Sequence, residues 1–203
     1  MISIIDVGLG NIGSIQNMLR VIGAKSRFVR TADELAEAEK IILPGVGSFD
    51  VGISKIREAG LYNAIRHKAL QDCVPLLGIC LGMQILGNGS QEGKLDGLGI
   101  IDGTCVRFLK SEVNGNRIPH LRWNSVEAKN ECVLFKGLNE INKFYFTHSF
   151  HFNCEKENDI AGLTNYGADF VSCISRDNIY GVQFHPEKSH KYGKLLLKNF
   201  WEL

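Results

Sequence analysis

The sequence predicts an α/β fold with a mostly parallel central sheet, flanking helices and additional antiparallel strands in the C-terminal half. In roughly the first 80 residues, short apolar segments alternate with helical patterns, which is typical of parallel strands joined by helices. After Gly97, short strand-like segments follow one another, and one helix ends the chain. No linker, internal repeat or low-complexity tract interrupts residues 1–203, so we expect one domain.

The first half divides into four strands and three helical stretches. Strands are predicted at 2–7, 26–30, 41–44 and 74–79. The first strand is almost entirely apolar, which is typical of a strand covered on both faces of its sheet. Helices are predicted at 11–22, 33–40 and 49–70, the last with a break near Gly60. In the first helix, Ile12, Ile15 and Leu19 recur at the spacing of one helix face.

The second half contains further strand-like segments. They are predicted at 100–108, 123–128, 143–147, 160–164, 170–175 and 179–184, and the final helix at 192–201. The pair Asn114-Gly115 is typical of a tight hairpin turn. We therefore expect antiparallel strands in this half.

The composition excludes several classes of function. The chain has 203 residues, of which 44% are hydrophobic and 22% charged, and its net charge of +1 gives no basic surface for nucleic acid. No apolar stretch is long enough to span a bilayer, and Asp6 comes too early for a signal peptide. We expect a cytoplasmic protein that binds neither nucleic acid nor membrane.

The cysteines and histidines predict neither a disulfide framework nor a metal site. The six cysteines are Cys73, Cys80, Cys105, Cys132, Cys154 and Cys173. None of them belongs to a Cys-x-x-Cys pair, which excludes the usual zinc ribbon or dithiol motif. The histidines lack the spacing of metal ligands relative to carboxylates. We therefore expect reduced thiols, no metal and no cofactor.

Residues 75–84 read as a strand, a tight turn and the start of a helix, with Cys80 at the apex of the turn. Gly78 and Gly82 allow the backbone to approach where side chains would clash. This is the pattern of a nucleophile elbow, with cysteine in place of serine. The helix N-terminus favours thiolate over thiol. Cys80 is a candidate nucleophile, and the alternative is a buried core cysteine at a strand end.

A second motif near the C-terminus supplies the groups that a cysteine nucleophile needs. His185-Pro-Glu187 follows a short apolar strand. His185 is a candidate base, and Glu187, two residues later, can orient it from the same side of the chain. The alternative is an exposed His and Glu in a loop. Together with the elbow, the motif predicts a Cys–His–Glu triad.

The segment Gly8–Gly13 fits the Gly-x-Gly-x-x-Gly fingerprint of dinucleotide-binding folds, between a predicted strand and a helix. The acidic residue expected at the end of the second strand is missing, although Arg30 could meet the 2′-phosphate of NADP. An NADP-type binding protein is therefore an alternative that leaves the triad unexplained. The other interpretation is a tight turn against which a partner or a loop packs.

Seven segments, spread over almost the whole chain, form a recognisable set. They are Gly8-Leu-Gly-Asn-Ile12, Leu43-Pro-Gly-Val-Gly-Ser-Phe49, Leu77-Gly-Ile-Cys-Leu-Gly-Met-Gln84, Ser90-Gln-Glu-Gly93, Pro119-His-Leu-Arg-Trp-Asn124, Tyr145-Phe-Thr-His-Ser149 and Gly181-Val-Gln-Phe-His-Pro-Glu-Lys-Ser189. With them the chain resembles the class I (triad-type) glutamine amidotransferases, which implies their flavodoxin-like fold. Within this family it is most similar to the glutaminase subunits of imidazole glycerol phosphate synthases, which serve histidine biosynthesis.

The resemblance implies that Cys80 attacks the side-chain amide of L-glutamine, that His185 passes its proton to ammonia, and that Glu187 holds His185. The backbone N–H of Leu81 and the loop containing Val46 and Gly47 would stabilise the oxyanion. The residues implied in binding glutamine are Gln84, Glu92, His148, Ser149 and Phe150.

The resemblance also implies a heterodimer with a (β/α)8-barrel cyclase or synthase that receives the ammonia. The implied docking face comprises Gly10, Asn11, Trp123, Asn124, Tyr145 and Lys188. The chain departs from the family in two places. Phe150 stands where tyrosine is usual, and Leu121-Arg122 stands where Met-Gly is usual, on the segment that faces the partner.

Three alternatives remain open on the sequence alone. The same glutaminase chemistry could feed a sugar-amidating synthase of surface polysaccharide biosynthesis, a possibility that Arg122 allows. A different enzyme, such as a cysteine peptidase or γ-glutamyl hydrolase, could use the same scaffold. The chain could also be a binding module, either NADP-dependent or an inactive relative that only scaffolds a partner.

Overall fold

The computed structural model describes residues 1–129, 131–139 and 142–203. Its first half contains four parallel strands, in the spatial order β2-β1-β3-β4. They are β1 (Ile2–Ile5), β2 (Ser26–Val29), β3 (Lys40–Gly45) and β4 (Leu76–Cys80). All residues of β1 and β4 are buried, as their apolar sequences predict. The predicted parallel sheet is confirmed.

Helices flank this sheet. They are α1 (Ile12–Val21), α2 (Ala32–Ala36), α3 (Phe49–Glu58), α4 (Leu61–Leu70), α5 (Leu81–Ile85) and α6 (His190–Trp201). The Asn11 side chain accepts a hydrogen bond from the Ser14 N–H and so caps α1. Gly60, with φ +70°, adopts the left-handed backbone that separates α3 from α4. The break predicted near Gly60 is therefore confirmed.

The second half continues the sheet. Its strands are β5 (Gly89–Ser90), β6 (Gly103–Arg107), β7 (His120–Asn124), β8 (Glu127–Ala128), β9 (Phe144–His148), β10 (Phe150–Cys154), β11 (Ile160–Asn165), β12 (Asp169–Arg176) and β13 (Ile179–Val182). β13 lies parallel to β4 and antiparallel to β12, and the sheet then continues through β10 and β6 to β5. The expected antiparallel strands are confirmed.

Two strands form a separate ribbon beside the main sheet. β7 and β9 pair antiparallel, with Trp123 opposite Tyr145 and His120 opposite His148. Alternate residues of the ribbon face opposite sides, as strand geometry requires. Phe144, Phe146, His120 and His148 are buried, whereas Leu121 and Trp123 are exposed. The ribbon therefore presents an apolar outer face to solvent.

Several predicted elements of the second half are wrong in extent or pairing. The segment 123–128 contains two strands rather than one, because β7 pairs with β9 and β8 pairs with β11. The hairpin predicted at Asn114-Gly115 is absent, since β6 pairs with β5 and β10 and does not contact β7 as a strand. The strand predicted from Ile100 begins only at Gly103, because the Ile100 and Ile101 N–H groups both donate to the Leu86 carbonyl.

Apolar cores cover both faces of the sheet. One contains Ile4, Ile79 and Phe184, and the other contains Leu43 and Leu76. Each face of β4 therefore packs against side chains, which fixes where its last residue lies. Within the described parts of the chain, no helix has the length and apolar character needed to cross a bilayer.

Candidate active site

Cys80 ends β4 and immediately precedes α5, with φ 55° and ψ −110°. Non-glycine residues rarely adopt this backbone conformation, and such strain costs about 1–3 kcal/mol. Its neighbours leave no room for side chains: a Cβ on Gly82 would overlap the Leu43 carbonyl oxygen, and one on Gly78 would lie 2.7 Å from the Met83 nitrogen. The tight turn predicted at Cys80 is therefore present, and packing on both sides maintains it.

His185 and Glu187 contact each other directly. The distance between His185 Nδ1 and Glu187 Oε1 is 2.7 Å, and the two side chains are only 2% and 3% exposed. Because a carboxylate accepts, Nδ1 carries the proton and donates to it. Nε2 of His185 is buried and has no hydrogen-bond partner among the residues that the structure describes. The imidazole thus has one nitrogen oriented by a carboxylate and the other free for chemistry.

The surroundings of His185 favour its charged form. Burial by itself lowers the pKa of His185, but its interactions with Cys80 and Glu187 outweigh burial and raise the pKa to about 10. At neutral pH the imidazole is therefore protonated while Cys80 and Glu187 are beside it. A protonated imidazole next to sulfur can donate a proton to a leaving group.

A pocket of about 340 Å³ brings the predicted site residues together. Its lining residues are Val46, Gly47, Cys80, Leu81, Gln84, Glu92, Pro119, Thr147, His148, Ser149, Phe150 and His185. Six separate parts of the chain thus contribute to one cavity. The volume suits a small molecule.

Two backbone segments flank the sulfur. Leu81 begins α5, and a Cβ built on Gly45 would lie 2.9 Å from the Leu81 Cβ, so the last residue of β3, just before Val46 and Gly47, packs against the start of α5. Gly47 has φ +106° with open space around it, and Val46 is 44% exposed. The predicted oxyanion segment therefore lies beside Leu81 and is accessible from the pocket.

Gln84 is buried, and its amide nitrogen is fully used. Its Nε2 donates to the Phe150 carbonyl oxygen and to Gln183 Oε1, both at 3.0 Å. Only the carbonyl oxygen of the Gln84 side chain remains for a ligand. Glu92 is held by the Phe49 N–H at the start of α3, which donates to Glu92 Oε2 at 2.8 Å. Its charge is thereby fixed at the rim of the pocket.

Both ring nitrogens of His148 make contacts within the protein. Its Nδ1 donates to the Phe150 carbonyl oxygen at 2.8 Å, and its Nε2 lies 3.0 Å from His120 Nδ1. Burial is the main cause that lowers the pKa of both rings, that of His148 well below its usual value and that of His120 to about 4. Neither ring nitrogen of His148 is free for glutamine, so only its backbone remains for that predicted role.

The neutral His120 predicts a loss of stability in acid. In the unfolded chain His120 takes up a proton near pH 6.5, whereas in the fold it does so only near pH 4. Its contribution is complete above pH 6.5 and is lost as the pH falls to 4, by roughly 3 kcal/mol. We expect urea unfolding to report this loss between pH 7 and 4, and less of it for His120→Phe, which keeps a ring but cannot be protonated. An equal loss in both chains would contradict this assignment.

The predicted docking residues fall into two groups. Trp123 stacks on His190 at 5.3 Å, Tyr145 meets Trp123 edge-on at 5.8 Å, and Lys188 Nζ lies 5.4 Å from the Tyr145 ring centre. These side chains form one patch, which we call the Trp123 patch. Asn124 instead turns inward, because its side chain donates to the Asn165 carbonyl oxygen at 2.8 Å.

The second group belongs to the loop after β1. A Cβ on Gly10 would lie 3.6 Å from the Gly45 nitrogen, and Asn11 caps α1. Arg30 forms an ion pair with Asp6 at 2.7 Å, so its guanidinium is already paired. The glycine-rich turn thus packs against the end of β3, and the second interpretation of this motif, a tight turn with close packing, fits this contact.

The structure adds two buried residues to which the sequence assigned no role. Gln183 donates from Nε2 to Cys80 Sγ at 3.7 Å. Ser189 Oγ donates to the His185 carbonyl oxygen at 2.6 Å and accepts from the Tyr145 N–H at 3.1 Å. Both lie in the segment 181–189 that carries the resemblance, and that membership was the only signal. Among the described residues, no cluster of three His, Cys, Asp or Glu side chains suits a metal ion.

Known proteins resemble this chain in sequence and in fold. The family model for "Glutamine amidotransferase class-I" matches residues 3–203. The chain is 48% identical over 200 residues to imidazole glycerol phosphate synthase subunit HisH 2 of Methanococcus maripaludis, covering 98% of each chain. It is 44% identical to the subunit of the same name from Pseudomonas aeruginosa, covering 100% of both. A crystal structure of a glutamine amidotransferase superposes with a TM-score of 0.77 at 18% identity, covering 99% of this chain and 97% of that one.

Proposed function

Because the chain belongs to the class-I glutamine amidotransferase family, we propose that Cys80, His185 and Glu187 form the triad that hydrolyses L-glutamine to glutamate and ammonia. One observation carries the proposal. The sulfur and the imidazole line the same pocket, and Glu187 orients the imidazole from behind. This is the arrangement that cysteine nucleophiles require.

The reaction proceeds in two stages. Cys80 Sγ attacks the side-chain amide carbon of glutamine, and protonated His185 gives its proton to the departing nitrogen, which leaves as ammonia. A thioester remains on the sulfur. Neutral His185 then takes a proton from water, the resulting hydroxide adds to the thioester, and glutamate leaves while the sulfur regains its electron pair. Glu187 stabilises the imidazolium at both stages.

Both stages pass through an oxyanion. The backbone N–H of Leu81 is one donor, and the segment of Val46 and Gly47 supplies the second. Removing one such donor typically costs roughly 3–4 kcal/mol of the barrier. The position of Gly45 against Leu81 supports this assignment, because it keeps both segments beside the sulfur.

The zwitterionic substrate needs partners at both ends. Glu92 attracts its ammonium group, and backbone groups around Ser149 and Phe150 meet its carboxylate. Gln84 offers its free carbonyl oxygen to the substrate amide. In this assignment the ring of His148 does not bind the substrate, because its Nδ1 donates to the Phe150 carbonyl oxygen.

The acceptor follows from the relatives. The chain is the ammonia-donating subunit of an imidazole glycerol phosphate synthase and serves histidine biosynthesis, forming a heterodimer with a (β/α)8-barrel cyclase. Free ammonia in water near pH 7 is almost entirely ammonium, which is not a nucleophile, so direct transfer to a partner is required. The names of the relatives support this acceptor. The free state of all six thiols supports a reducing compartment, the cytoplasm.

A glutaminase assay with and without the cyclase and its ligand tests the pairing. We expect the partner to raise the rate, and Trp123→Ala to weaken the partner's affinity by about tenfold or more, because buried aromatic anchors dominate interfaces. Leu70→Ala is the matched control, since Leu70 is also 39% exposed but ends α4, away from the Trp123 patch. A rate unchanged by the partner would refute the handover.

One observation favours a second acceptor. Leu121 is 58% exposed and Arg122 is also exposed, next to Trp123, where the family usually has Met-Gly. A long cation at this point alters the surface offered to a partner. A sugar-amidating synthase of polysaccharide biosynthesis is therefore the alternative partner. The same assay decides between the two, because only the true partner raises the glutaminase rate.

A further inference from the structure

We propose that Gln183 is a positioning residue that aims and polarises the sulfur of Cys80. Gln183 is fully buried, and its Nε2 lies 3.7 Å from Cys80 Sγ, within the range of an N–H···S hydrogen bond. The proposal rests on the nucleophilic role of Cys80. It assigns to a residue outside the triad the control of where the attacking atom stands.

The sheet register sets the position of Gln183. β13 runs parallel to β4 with Val182 beside Ile79, so the next residue of each strand, Gln183 and Cys80, also lie side by side. The Gln183 N–H donates to the Ser172 carbonyl oxygen at 3.0 Å, which ties its backbone to β12. The backbone that carries this amide is therefore held in the buried sheet beside Cys80.

The direction of the hydrogen bonds is determined by the chain of partners. The Phe150 carbonyl can only accept, so the Gln84 group facing it must be the NH₂ group. The second N–H of that group donates to Gln183, so the atom of Gln183 that accepts it is the side-chain oxygen Oε1. The NH₂ group of Gln183 is then the one that faces Cys80. The chain of donors ends on the sulfur.

Two consequences follow for the reaction. A neutral N–H donor stabilises the negative charge that sulfur carries as a thiolate and again when the thioester breaks. It also holds the side chain of Cys80 in one orientation, while the strained turn at Cys80 fixes its backbone. Because Gln84 connects Gln183 to the pocket, the substrate-facing amide and the nucleophile belong to one hydrogen-bonded unit.

The test replaces Gln183 with methionine, which has similar length and no donor. We expect the rate of Cys80 alkylation by iodoacetamide at pH 7, followed by mass spectrometry, to fall about tenfold, and kcat at pH 7 to fall about tenfold with little change in KM. The matched control is Thr164→Val, which breaks the buried hydrogen bond between Thr164 and Ser172 without touching the Gln183 side chain. An alkylation rate identical to that of the parent would overturn the proposal.

A second measurement, on the chain with Gln183 in place, tests the proposal even if Gln183→Met does not fold. The ¹⁵N side-chain amide signals of Gln183 are expected to shift when iodoacetamide alkylates Cys80 and to show no such shift in Cys80→Ala. Signals that stay constant through the alkylation would also overturn the proposal. Both readouts follow the thiol rather than glutamine turnover, so they distinguish failure of this inference from failure of the glutaminase assignment.

Discussion

Replacement of Cys80 by alanine is expected to reduce the rate of glutamine hydrolysis about 10⁶-fold, because the atom proposed to form the thioester is removed. The fold is expected to persist, since alanine tolerates the buried position even though the backbone there is strained. The measurement is ammonia release at saturating glutamine, with circular dichroism to verify folding.

The same variant changes the neighbouring base. The interaction with Cys80 is one of those that raise the pKa of His185 to about 10, so Cys80→Ala is expected to lower that pKa. Titration of the imidazole by NMR measures the change. Cys73→Ser is the control, because Cys73 is exposed and precedes β4 at the opposite end from the elbow. Substantial turnover by Cys80→Ala would move the chemistry to another residue.

Replacement of Glu187 by glutamine is expected to reduce kcat by about 10²–10⁴-fold. The amide keeps the shape of the carboxylate but removes the charge that stabilises the imidazolium, and its NH₂ group can force the wrong tautomer on Nδ1. His185 is 2% exposed, so water cannot replace the lost partner. The measurement is the pH dependence of kcat, in which the alkaline limb is expected to move to lower pH.

The control for Glu187→Gln is Glu202→Gln. Glu202 forms a surface ion pair with Lys198 at 3.6 Å near the end of α6, with both side chains about half exposed. Such pairs contribute at most about 1 kcal/mol, and this one does not contact the pocket. Wild-type kcat in Glu187→Gln would show that the contact between the carboxylate and His185 orients nothing essential to catalysis.

The first half of the fold was predictable because its signals are local. β4 is apolar at every position but Gly78, and Gly60 marks the end of a helix through its own backbone freedom. The elbow at Cys80 and the motif His185-Pro-Glu187 were predictable from the sequence for the same reason. Each is a short pattern whose chemistry depends on neighbouring residues.

The second half was less predictable because its strands depend on distant partners. β10 was not predicted, since the alternation of Phe150, Phe152 and their polar neighbours gains meaning only beside β6 and β12. His120 begins β7 because it pairs with His148 across the ribbon. The hairpin expected at Asn114-Gly115 failed because a turn sequence does not determine which strands pair across it.

The candidate site was also predictable only where its signals are local. Motifs identified the residues that line the pocket, but they did not predict the hydrogen bonds between them. The role of Gln183 depends on β13 lying next to β4, a pairing between segments about a hundred residues apart. The commitment of the His148 ring to His120 likewise needs the β7–β9 ribbon in place.

The unusual backbone at Cys80 has a practical consequence for inhibition. The close packing of the backbone at Gly78 and Gly82 holds this conformation, and the sulfur takes no part in it. Alkylation of the thiol is therefore expected to leave the surrounding fold unaltered. The Trp123 patch stays available on such a molecule. Under the proposed handover, a covalently inactivated subunit is therefore expected to remain bound to the synthase without delivering ammonia, and to compete with active copies for it.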